Sequence, residues 1–173
     1  MATAVHVPVE VYLRSSDYEP DAEYVDGQIE ERPMGEFDHA SWQQAIQMWF
    51  AKNAMTWNIR VRAELRVQVS ERRYRVPDVS VFSRSWPIEQ VLTHPPIAVF
   101  EVLSPEDRMP RILRKLVDYH TMGIQTIVVI DTELKAIYQY RNGSLEKLTE
   151  PILQLTGSQC SIDWRRIEAE LLN

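Results

Sequence analysis

Two acidic residues stand in stretches that are otherwise mostly apolar: Asp78, just after Pro77 in YRVPDVSVF, and Glu101, the single charge in IAVFEVL. An ionised carboxylate removed from water without a partner costs several kcal/mol, so each acid needs a cation, a set of donors or a metal. One divalent ion shared by both meets that need most simply. Magnesium and manganese prefer hard oxygen ligands, take one or two protein carboxylates, keep waters and bind phosphates. The chemistry this predicts is phosphodiester hydrolysis, with the metal polarising the phosphoryl oxygen. Each acid also has a plainer role open to it. Asp78 can cap backbone at a strand end, and Glu101 can pair with an arginine.

A cation for such a site is offered by Lys115, which stands four residues before Tyr119 and so shares a helical face with it, on a helix that starts just beyond Glu101. There it would stabilise charge developing on the attacking water or the phosphate. The alternative is a surface lysine lying along apolar neighbours. Among the histidines, His6, His94 and His120 have no ligand spacing, and Cys160 has no partner for a disulfide and reads as a small buried hydrophobe.

The elements that must position these groups follow from periodicity. Residues 8–16 suit a short helix or extended arm, and Asp26-Gly27 a hairpin turn. Apolar positions from Ala40 to Phe50 recur at helical spacing over 38–52, with Asp38 as N-cap. Strict alternation from Ile59 to Val69 predicts one strand, and residues 74–82 a second. Residues 97–103 predict a strand covered on both faces. A helix over about 110–122, capped by Ser104 or Asp107 and ended by Gly123, leads to a buried strand at 125–130. Asn142-Gly143 predicts a second hairpin, and 162–172 a closing helix. The whole reads as one α/β domain over 1–173, with residues 1–20 as an N-terminal arm or short helix.

Composition narrows the classes. The chain has 173 residues, is 45% hydrophobic, and carries a formal charge of −6, which excludes a protein that coats nucleic acid by charge alone. The stretch from Arg60 to Arg75 is nonetheless basic. It is either a solvated strand face or a nucleic-acid track, and on the second reading Arg72, Arg73 and Arg75, with Arg108 further on, are the contacts. No apolar run approaches a membrane span, and the N-terminus lacks the pattern of a signal peptide, so a soluble cytoplasmic protein is expected. The Asn142-Gly143 hairpin would leave a sheet edge, and covering an apolar edge predicts a homodimer.

YRVPDVSVF, PPIAVFEVLSPEDR and RKLVDYHTMGIQTIVVID, in that order, resemble the Uma-two family of the PD-(D/E)xK nuclease superfamily, as does AEYVDGQIEERP followed by His39. The resemblance implies a restriction-endonuclease-like fold with a central mixed sheet flanked by helices. It implies Asp78 and Glu101 as metal ligands with the Val102 carbonyl beside them, Mg2+ or Mn2+ as cofactor, and DNA, or else RNA, as partner. The superfamily lysine stands two places after the second acid, where this chain has Leu103; the resemblance moves it to Lys115. The acid often found four residues before that lysine is replaced by Arg111. Glu23 and His39 are implied as an outer shell around the site, and Tyr119, on the helical face of Lys115, is counted in that shell. The expected function is a metal-dependent endonuclease. The alternatives are an inactive nucleic-acid-binding module that kept the fold, or a structural dimer.

Overall fold

The structure, a computed structural model, describes residues 5–18 and 22–172. Of the expected arm over residues 1–20, residues 1–4, 19 and 20 lie outside the described residues. In chain order the elements are α1 (Val9–Arg14), β1 (Glu23–Val25), β2 (Gln28–Glu30), α2 (Phe37–Asn53), β3 (Ile59–Ala63), β4 (Val67–Ser70), β5 (Arg73–Arg75) and β6 (Val79–Ser83). They continue with β7 (Ala98–Val102), α3 (Met109–Met122), β8 (Thr126–Asp131), β9 (Ala136–Arg141), β10 (Ser144–Lys147), β11 (Ile152–Gln154), β12 (Ser161–Asp163) and α4 (Trp164–Leu171).

The main sheet runs β10-β9-β8-β7-β6-β3, with β7 and β8 parallel and the other neighbours antiparallel. This is the expected mixed sheet between helices. A parallel pair needs a crossover, and α3 supplies it. The two-residue period of β7 splits its side chains between two cores. Ala98, Phe100 and Val102 join Ile46 and Phe50 of α2 and Ile167 of α4, whereas Val99 joins Ile112, Leu116 and Tyr119 of α3. Glu101 has the parity of Val99, so its carboxylate faces α3.

Two predicted strands are each divided. The alternation from Ile59 to Val69 is interrupted at Glu64, whose φ of 52° turns the chain, so β3 enters the main sheet and β4 a smaller one ordered β2-β1-β5-β4. The apolar phase is kept across this corner, which is why periodicity reads it as one strand. Residues 74–82 likewise pass from β5 in the small sheet to β6 in the main sheet through Val76, Pro77 and Asp78. Proline has no N–H for a ladder, which suits the transition.

Both predicted hairpins are present. Their turn residues, Asp26 and Gly27 (φ 51° and 97°) and Asn142 and Gly143 (φ 49° and 82°), take the left-handed conformations that two-residue hairpins need. The helix caps differ from expectation. Glu36 rather than Asp38 stands at the N-cap of α2, and Arg108 at that of α3, while Asp107 accepts from the Ser104 N–H at 2.7 Å. The β11-β12 hairpin before α4 has no counterpart in the sequence reading. β10 is a four-residue, largely exposed edge carrying Glu146 and Lys147. Such an edge is charged rather than apolar, so the premise behind the expected homodimer is not met there. Cys160 is buried, and no helix among the described residues is long and apolar enough to cross a membrane.

Candidate active site

The site forms where the two sheets and two helices converge. β7 delivers Glu101, the β5–β6 transition delivers Asp78, β1 delivers Glu23, α3 delivers Lys115, and the start of α2 delivers His39. All five line one small pocket, with about 30 Å³ open to water-sized contents, together with Arg32, Val102, Ser104, Asp107 and Arg111. That volume holds an ion and a water or two rather than a nucleotide, so a larger substrate must meet it at the mouth.

Glu101 is held from both sides by α3. Lys115 Nζ donates to Oε2 at 2.9 Å and the Tyr119 hydroxyl donates to Oε1 at 2.6 Å. Helical spacing brings the two donors to the same face, as the sequence predicted. Lys115 is only 5% exposed, which rules out the surface-lysine alternative. Its other donors go to Glu23 Oε1 at 2.8 Å and the Val76 carbonyl at 3.1 Å. The amine therefore reaches back from the helix into the acidic pocket.

Burial pushes the Glu101 carboxyl up to about 7, against the pull of Lys115 and with the repulsion of Asp78 and Glu23 added. Burial opposes the Lys115 charge, but the Glu101 and Glu23 carboxylates outweigh it and hold the ammonium above its ordinary value. Burial also raises Tyr119 far above the usual phenol, helped by the Glu101 charge, so its hydroxyl stays a donor.

Asp78 takes the backbone-capping role and more. The β6–β7 ladder ends at the Val79–Phe100 pair, and beyond it Asp78 Oδ2 accepts from the Val102 N–H at 2.7 Å. His39 Nε2 lies 3.3 Å from the same oxygen, and Arg32 Nη2 donates to Oδ1. Burial works against ionising Asp78, yet the His39 hydrogen bond and the Arg32 and Lys115 charges bring it below the usual carboxylate range. For His39, the Asp78 carboxylate overcomes burial and raises the imidazole above its ordinary value.

Glu23 adds a third carboxylate beside Lys115. It accepts from the Val76 N–H and Arg75 Nη1, both at 2.9 Å, besides Lys115. Behind it, Arg75 is buried among carboxylates, donating to Asp118 Oδ2 at 2.7 Å and Glu30 Oε2 at 3.1 Å. This changes the reading of the basic stretch. Arg75 acts as an internal counter-ion, Arg73 pairs with Asp26 and Asp118, Arg72 lies 3.0 Å from His6, and Arg108 is exposed at the start of α3.

The donors suit a divalent ion. Two buried carboxylates face one pocket, and their oxygens are the hard donors that a divalent ion prefers. Among the described residues no group of three or more His, Cys, Asp or Glu side chains stands in ligating arrangement, but magnesium commonly takes only one or two protein carboxylates. Sequence reasoning missed Arg32, Glu30 and Asp118. Arg32 lies in a segment without periodicity, and the only available signal was its charge beside Pro33.

The fold resembles a solved structure described as "a putative nuclease belonging to DUF820" from Anabaena variabilis ATCC 29413, with a TM-score of 0.80 at 22% identity, covering 95% of this chain and 99% of that one. No curated protein matches the chain. Residues 9–160 match the Uma2 family model, described as "Putative restriction endonuclease", and with a match over most of its length the chain belongs to that family.

Proposed function

We propose that the protein is a metal-dependent endonuclease that hydrolyses phosphodiester bonds in DNA, with Asp78, Glu101 and the Val102 carbonyl as the place where Mg2+ or Mn2+ is held. The observation that carries this reading is the contact of Lys115 Nζ with Glu101 Oε2 at 2.9 Å, because it puts the amine at the acidic pocket even though position 103 is leucine. A divalent ion would polarise the phosphoryl oxygen and make water a stronger acid. The chain's own residues do the rest. Lys115 keeps its proton at neutral pH and places positive charge where charge develops on the phosphate. Glu23 and the Val76 carbonyl fix the direction of its Nζ, and Tyr119 fixes the Glu101 carboxylate. His39 and the Val102 N–H hold Asp78 in place.

One observation favours a second reading, an inactive nucleic-acid-binding module. Every oxygen of Asp78 and Glu101 already has a partner within the chain. The test is metal-dependent cleavage of single- and double-stranded DNA and RNA beside an Asp78→Ala control. Cleavage of DNA by the parent alone supports the nuclease. Metal-independent binding without cleavage supports the module, and cleavage confined to RNA moves the substrate.

A further inference from the structure

Arg32 stands on an oxygen of Asp78, the acid that would hold the metal on the reading above. It comes from residues 31–36, which have no helix or strand and join β2 to α2. Its Nη2 donates to Asp78 Oδ1, and its Nη1 lies 3.8 Å from Glu64 Oε1 at the half-exposed rim. A guanidinium and a divalent ion cannot both hold that oxygen, since their charges repel in a confined pocket. Loading the ion therefore has to move Arg32 off that oxygen, by a change in the rotamers of its long side chain.

Lys115 and Arg111, which also line the pocket, have their closest partners elsewhere than Asp78. Lys115 keeps Glu23 and the Val76 carbonyl, and Arg111 Nε lies 3.5 Å from Glu30. Arg32 and His39 instead have their closest described partner in Asp78, the acid the ion would take, and of the two only Arg32 is charged at every pH. Arginine is planar, always charged and binds phosphate through paired N–H groups. Its second neighbour, Glu64, is half-exposed, so Arg32 stands between the buried acid and the solvent from which a nucleic-acid phosphate must arrive.

We propose that Arg32 serves the site from two positions: on Asp78 Oδ1 in the metal-free chain, and on a phosphate of the bound nucleic acid once a divalent ion holds Asp78. This rests on the reading of Asp78 and Glu101 as the metal-holding pair. In the first position Arg32 keeps a buried carboxylate paired and competes with the ion. In the second it positions the substrate.

The test measures binding rather than cleavage. Manganese affinity is determined by calorimetry for the parent, Arg32→Ala and Arg32→Gln. The affinity of each manganese-loaded protein for thymidine 5′-monophosphate is then measured, a probe with a phosphate but no diester bond. Circular dichroism confirms that both variants are folded, and the glutamine variant keeps a hydrogen-bonding group on Asp78 should the alanine variant not fold. An arginine that occupies Asp78 at least nine-tenths of the time lowers apparent metal affinity by about tenfold. Both variants should therefore bind manganese about tenfold tighter than the parent, and the monophosphate about tenfold weaker, the scale of a lost charged contact. Manganese binding equal to or weaker than the parent's overturns the proposal and leaves the metal reading standing. Unchanged monophosphate affinity in the variants overturns the second position and with it the proposal. No manganese binding by any of the three proteins removes both readings.

Discussion

Lys115 Nζ meets Glu101 Oε2 at 2.9 Å, a buried ion pair that ties α3 to β7 and lies within reach of a second carboxylate, Glu23. Breaking a buried pair on one side leaves charge without compensation, at a cost of about 3–5 kcal/mol. Lys115→Ala should therefore lower both stability, by that amount in urea unfolding, and turnover, by about a hundredfold or more. Lys115→Arg should rescue stability more than turnover, since the larger planar group cannot reproduce the position of the amine. Parent-like cleavage by a folded Lys115→Ala, where Asp78→Ala is inactive, would remove the lysine from the mechanism.

Manganese binding should depend on both acids. Calorimetry should show Asp78→Ala and Glu101→Ala weakened by more than about a hundredfold, beyond the range usual for groups outside the ligand set. His39→Ala, which touches only one Asp78 oxygen, should lose about tenfold. Parent-like affinity in either acid variant contradicts the assignment of that acid.

The pH dependence of stability should carry the mark of Glu23. Burial favours its neutral form, but the Lys115 and Arg75 charges outweigh burial and hold it below its ordinary 4.5. A carboxyl depressed on folding stabilises the protein above its unfolded pKa and loses that contribution as pH falls through the folded value. The stability gap between the parent and Glu23→Gln should thus be widest at neutral pH and shrink as pH drops below 4.5. A gap that stays constant on acidification would assign the loss to packing instead.

Arg75 and Arg108 should separate cleanly. Arg75→Met removes the counter-ion of Glu23, Glu30 and Asp118 and should destabilise by about 3–5 kcal/mol. Arg108→Ala, at an exposed position, should stay within about 0.5 kcal/mol of the parent. If Arg108 contacts phosphate, its loss should lower the salt slope of DNA binding by about one. An unchanged slope in fluorescence titrations excludes that contact.

The sequence by itself determined the elements with strong local signals. The apolar run at 97–103 and the parity of Glu101 within it made a covered strand with one inward charge. Spacing put Lys115 and Tyr119 on one helical face, and the Asp-Gly and Asn-Gly pairs set both hairpins. These depend on neighbours in the chain, where period and turn chemistry act directly. What only the tertiary structure decided depends on contacts far apart in sequence. The corner at Glu64 keeps the apolar phase, so alternation could not divide β3 from β4. Arg75 looked like a surface base because local sequence says nothing of the three acids, from β1, β2 and α3, that enclose it. Arg32 lies 46 residues from Asp78 in a segment with no period, and its place on that carboxylate exists only because two sheets and α2 close around the same pocket.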